Sequence, residues 1–63
     1  MPDTHASIVL VVEDEYFIAD DLARALRDAG ATVLGPVPNA EMARRIVSDS
    51  FVDLVLLDLN LDG

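Results

Sequence analysis

Hydrophobic positions along this chain switch between two periods. Ile8-Val9-Leu10-Val11-Val12 is a continuous apolar run rich in β-branched residues, and it stops abruptly at Glu13-Asp14-Glu15. A short run that is apolar on both faces predicts a buried strand of a parallel sheet. From Tyr16 the spacing changes, and Ile18, Leu22, Ala25, Leu26 and Ala29 recur with a helical period as one stripe of an amphipathic helix. Gly30 follows at the C′ position, where a left-handed residue commonly ends a helix. Thr32-Val33-Leu34-Gly35-Pro36-Val37 reads as a second strand. Pro36 has no N–H for a ladder, so this strand is expected at a sheet edge or to stop early. Asn39 suits the N-cap of a second helix, with Ala40, Ala43 and Val47, flanked by Met42 and Ile46, turned inward and Arg44 and Arg45 in solvent. That helix is predicted to end near Asp49 or Ser50. Leu54 to Leu57 then make a third strand, apolar on both faces and expected to be buried.

The element order is therefore β-α-β-α-β with short connections, which calls for an α/β fold with a parallel sheet and helices packed over it. With the second strand at an edge, the first lies in the middle and the third on its other side, giving strand order 2-1-3. Right-handed crossovers running in opposite directions place the two helices on opposite faces. The crevice beyond the C-terminal ends of strands 1 and 3 is then a topological switch point, where open α/β sheets bind ligands. Glu13 and Asp14 leave the first strand at that crevice and Asp58 leaves the third, so three carboxylates are expected to meet there.

Charge and composition narrow the chemistry. The 63 residues carry a formal net charge of −8, with twelve carboxylates, four arginines and no lysine. That balance argues against direct nucleic-acid binding. There is no cysteine, so disulfides and thiolate metal sites are excluded. No apolar stretch is long enough for a membrane span, and Met1 to Ser7 has no signal-peptide pattern, so a cytoplasmic location is expected. A chain of this size buries only about 60% of its unfolded surface, which leaves a lone core marginal and makes a partner a natural source of stability.

Crowded carboxylates repel one another unless a cation joins them. Their hard oxygens suit Mg²⁺, which takes one or two carboxylates, keeps several waters and leaves room for a phosphoryl oxygen. An aspartate beside such a metal can itself act as a nucleophile and form an acyl phosphate, which makes Asp58 a candidate phosphoacceptor. A competing pattern is Asp58-x-Asn60-x-Asp62-Gly63, the opening of a calcium-binding EF-hand loop. An EF-hand needs a helix before that loop and a glutamate at its twelfth position, whereas a strand-like run precedes it here. Tyr16 and Phe17 are expected to pack at the start of the first helix. His5 falls in an N-terminal tail over residues 1–7.

The segments "VLVVEDE", "LARALRDAG" and "LVLLDLNLDG", in this order and at these spacings, resemble the first half of a response-regulator receiver domain. The resemblance covers residues 8–63 and implies a partial flavodoxin-like fold that lacks the last two β/α units. It implies that Asp58 is the phosphoacceptor, that Glu13 and Asp14 serve Mg²⁺ together with Asp58, and that the backbone carbonyl of Asn60 completes the protein's share of the metal site. Glu13 stands where the family commonly has aspartate. A histidine kinase or phosphotransfer protein is the implied phosphodonor partner in a two-component phosphorelay. The resemblance thus implies a signalling phosphoacceptor domain and not an enzyme.

The family's later strands carry a Thr or Ser, an aromatic switch residue and a Lys that touches the phosphoryl group, and this chain supplies none of them. Phosphorylation is therefore expected to be weak, since such preorganised groups are typically worth about 3 kcal/mol each in transition-state charge stabilisation. The third strand becomes an apolar edge, which invites pairing. A homo-oligomer, most simply a two-fold dimer joining third strands, or a complex with a complementing chain is expected. The alternative function is a noncatalytic interaction module that oligomerises through this strand or competes for the partners of intact receivers.

Overall fold

The computed structural model describes residues 7–57. Five elements follow one another: β1 (Ile8–Val12), α1 (Tyr16–Asp28), β2 (Thr32–Val37), α2 (Ala40–Asp49) and β3 (Leu54–Leu57). The three strands form one parallel sheet in the order β2-β1-β3, with β1 central as the apolar run predicts. This is a partial flavodoxin-like α/β arrangement. Val9, Leu10, Val11 and Val12 are all buried, because alternate side chains of a central strand enter the layers on both sides of the sheet. Leu10 and Val12 pack with Val37 and with Ala43 of α2, and Leu34, Ile46 and Val52 close around them.

The ends of the helices are defined by local chemistry. Asn39 caps α2, its side-chain oxygen accepting from the Met42 N–H at 3.0 Å. At the end of α1, Gly30 takes φ +97°, and its N–H donates to Arg27 O while that of Ala31 donates to Leu26 O, both at 2.9 Å. This is the paired-bond termination that a left-handed C′ glycine permits.

Pro36 does lie in an edge strand, and β2 carries an irregularity beside it. Leu10 pairs with Leu34 but Val12 pairs with Val37, so β2 has one more residue than β1 over this step. Gly35 sits in that bulge at φ +85°, and the Gly35-Pro36 peptide is cis. The bulge returns β2 to β1 at Val37, whose carbonyl accepts the Glu13 N–H at 2.9 Å.

Three packing expectations are corrected. The buried face of α1 is centred on Ala19 and Ala23 with Leu22 and Leu26 half-buried, whereas Ile18, Ala25 and Ala29 are exposed. The apolar surface of α1 is wider than one stripe, and the small Ala19 and Ala23 let the helix seat closely on β1 and β2. In α2, Ala43 is buried and Ile46 half-buried, while Ala40, Met42 and Val47 are exposed. The largest difference is β3: Leu54, Val55 and Leu57 are 56%, 44% and 51% exposed. Both helices pack on β1 and β2, and neither packs on β3, so its apolar residues have no covering layer among the described residues.

Candidate functional site

The site is built where β1 ends. Glu13 follows the fully buried Val11 and Val12 and is itself only 3% exposed. Its N–H is tied to β2 through Val37 O, and its carboxylate accepts from the Glu15 N–H at 3.0 Å. This places an acceptor on an amide that the start of α1 leaves without an intrahelical partner. The Glu13 main chain and side chain are therefore both held, while Asp14 is exposed to solvent. Glu15 occupies the N-cap position of α1 with no side-chain capping bond, so the Glu13 carboxylate takes over part of the capping role.

The parallel ladder between β1 and β3 runs without a shift from Val9↔Leu54 to Val12↔Leu57. Glu13 is the residue after Val12 and Asp58 the residue after Leu57, so the two strands reach their acidic residues in step along the sequence. Asp58 and Asn60 lie outside the described residues, as does His5. Among the described residues there is no cluster of three or more potential metal ligands. Glu13 and Asp14 are the two members of the expected set that fall within them, one fixed and one open to water.

Other features read as structure. Tyr16 and Phe17, expected to pack at the helix start, are 76% and 80% exposed and meet each other edge-to-face with ring centroids 5.7 Å apart. Arg44 and Arg45 line a shallow depression with Glu41, Ser48 and Asp49. All five residues belong to α2 and both arginines are solvent-exposed, as the helical pattern predicts. No helix among the described residues is long and apolar enough to cross a membrane.

One residue was not singled out by its pattern. Asp53 precedes β3, and its carboxylate accepts from the Ile8 N–H at 2.7 Å while its own N–H donates to Ile8 O at 2.8 Å. The available signal was an acid placed directly before a strand-like apolar run, a position that reads equally well as an ordinary turn residue.

The sensory transduction protein RegX3 of Mycolicibacterium smegmatis is 51% identical to this chain over 59 residues, a match covering 87% of the chain and 24% of that protein. The chain thus spans about a quarter of the length of the curated relative it matches. No protein-family profile matches the chain, and no solved structure does.

Proposed function

We propose that this chain, a fragment of a response-regulator receiver domain by its sequence identity and its β2-β1-β3 parallel sheet, accepts a phosphoryl group on the carboxylate of Asp58. The supporting observation is the in-step ladder that pairs Val12 with Leu57, each followed in sequence by an acid. The donor is a phosphorylated histidine of a kinase or phosphotransfer protein. A carboxylate oxygen of Asp58 attacks phosphorus, the P–N bond breaks with its electron pair left on the imidazole, and an aspartyl phosphate results.

The donor set fits Mg²⁺, because carboxylates and a backbone carbonyl are the hard oxygen ligands this ion selects. Glu13, Asp14 and Asp58 would supply the carboxylates and Asn60 the carbonyl. When bound, the ion neutralises the negative charge gathered on the transferring phosphoryl oxygens. Glu13, held by Val37 and Glu15, contributes oxygens fixed in position, and solvent-exposed Asp14 reorients at little cost. The 63 residues contain no lysine to share the phosphoryl charge, so transfer to this chain alone is slow. The role is that of a cytoplasmic phosphoacceptor and not of an enzyme.

The test is incubation with Mg²⁺ and acetyl phosphate, followed by intact-mass measurement of the wild type and Asp58→Asn. A phosphoryl adduct on the wild type alone is expected; its absence from the wild type would sink this reading for the chain.

A second reading, a noncatalytic module that pairs through β3 with another copy or competes for receiver partners, is favoured by the exposure of Leu54, Val55 and Leu57 on an edge strand. Self-association that persists in Asp58→Asn, with no adduct on the wild type, distinguishes it.

A further inference from the structure

We infer that Asp53 is a positioning residue which locks the register of β3 against β1 and so sets where Asp58 arrives; this rests on the phosphoacceptor reading above. The two bonds it makes to Ile8, N–H to carboxylate at 2.7 Å and N–H to carbonyl at 2.8 Å, form a reciprocal clasp at the start of the strand pair. The shorter bond has the length of a charge-assisted contact.

Register needs such a device here because the usual one is weak. Side-chain burial normally fixes register, since a slip of one residue turns every side chain to the opposite face. In β3 that penalty is small: Leu54, Val55, Leu56 and Leu57 are chemically alike, three of them are exposed, and neither helix packs on the strand. The clasp discriminates where the apolar run does not. A slip by one residue in either direction sets Val52 or Leu54 opposite Ile8, and neither has a side-chain acceptor for its N–H. It would also shift the chain by about 3.3 Å, the rise of one strand residue. The residues of β3 would then turn to the opposite face, and the sequence step to Asp58, five residues beyond Asp53, would no longer match the step from Val12 to Glu13.

The test compares wild type with Asp53→Ala and Asp53→Asn. The rate of adduct formation is measured at saturating Mg²⁺ and acetyl phosphate and corrected for the folded fraction from circular dichroism. Cross-strand NMR contacts between residues 12 and 57 report register whether or not phosphorylation occurs. Asp53→Ala is expected to show pairings shifted by one residue and a rate lower by at least about threefold, the scale of losing one solvent-exposed charge-assisted bond. Asp53→Asn keeps an acceptor oxygen and is expected to restore the single register and a rate within about twofold of wild type, as replacing an ionised acceptor by a neutral one is the smaller change. A single register and an unchanged rate in Asp53→Ala overturn the inference, as does an Asp53→Asn chain that fails as far as alanine. If Asp53→Ala does not fold, hydrogen exchange in the wild type decides: an Ile8 amide protected like those of Val9 to Val12 supports the clasp, and one exchanging at the unprotected rate overturns it. An unphosphorylated wild type sinks the phosphoacceptor reading alone, and the NMR pairings still decide the lock.

Discussion

Replacing Gly35 with alanine places a methyl group against main-chain atoms of both β1 and β2. Its Cβ would lie 2.9 Å from Val37 N and 3.0 Å from Val11 O, both main-chain atoms of paired strands. At φ +85° an L-residue also loses about 1–2 kcal/mol from the left-handed conformation alone. Relieving the Val11 contact means moving β2 from β1 by a few tenths of an ångström, and relieving the Val37 contact means reshaping the bulge within β2; both weaken the bond from Glu13 N to Val37 O. Losing much of that bond adds about 1 kcal/mol. The total is about 2–3 kcal/mol, against about 3–9 kcal/mol expected for a chain of this length. Thermal and urea unfolding followed by circular dichroism should show the midpoint temperature falling by about 8 °C or more, given about 4–8 °C per kcal/mol for small domains. Gly30→Ala is the internal control, because Gly30 has φ +97° but nothing within 4 Å of its added Cβ. It should lose only the conformational share, about 1–2 kcal/mol. If the two variants lose equal stability, the close approach of Val11 and Val37 to Gly35 is refuted.

Other perturbations probe separate parts of the fold. Leu10→Ala empties a fully buried position facing Ala43 and Val37 and should cost about 2–5 kcal/mol by urea denaturation. Asn39→Ala removes the α2 cap and should cost about 1 kcal/mol, with faster amide exchange confined to the first turn of that helix. Val55→Lys adds a charge to the exposed β3 edge and should lower the weight-average mass measured by light scattering; an unchanged mass would show that self-association does not use this strand.

The fold was legible in this sequence wherever one local rule decided the outcome. Pro36 excluded a central position for β2, Asn39 marked the start of α2, and Gly30 marked the end of α1. Burial was less legible because it depends on which layer covers a residue. Leu54 to Leu57 have the composition of a buried strand, yet their exposure is set by helices that lie over the other two strands. Ile18 and Ala25 are apolar at helical spacing, but α1 offers a broad apolar surface and the sheet takes the part centred on the small Ala19 and Ala23. At the site, the Glu13-Asp14 pair was visible in the abrupt end of the apolar run. The different roles of its members were not, because they arise from the Val37 and Glu15 bonds that bury Glu13 and leave Asp14 in water. The role of Asp53 is illegible in the sequence for a similar reason, since its partner Ile8 lies 45 residues away.

The proposed phosphoacceptor role of Asp58 is tested most directly by locating the adduct. Borohydride reduces an aspartyl phosphate to homoserine, so peptide mapping after treatment with Mg²⁺, acetyl phosphate and borohydride reads the modified position from the chain itself. Homoserine at residue 58, dependent on Mg²⁺, with no homoserine at Asp14 or Asp53 and no 5-hydroxynorvaline at Glu13, is the predicted result. Aspartate unchanged at position 58, or modification spread over the surface carboxylates, would contradict it.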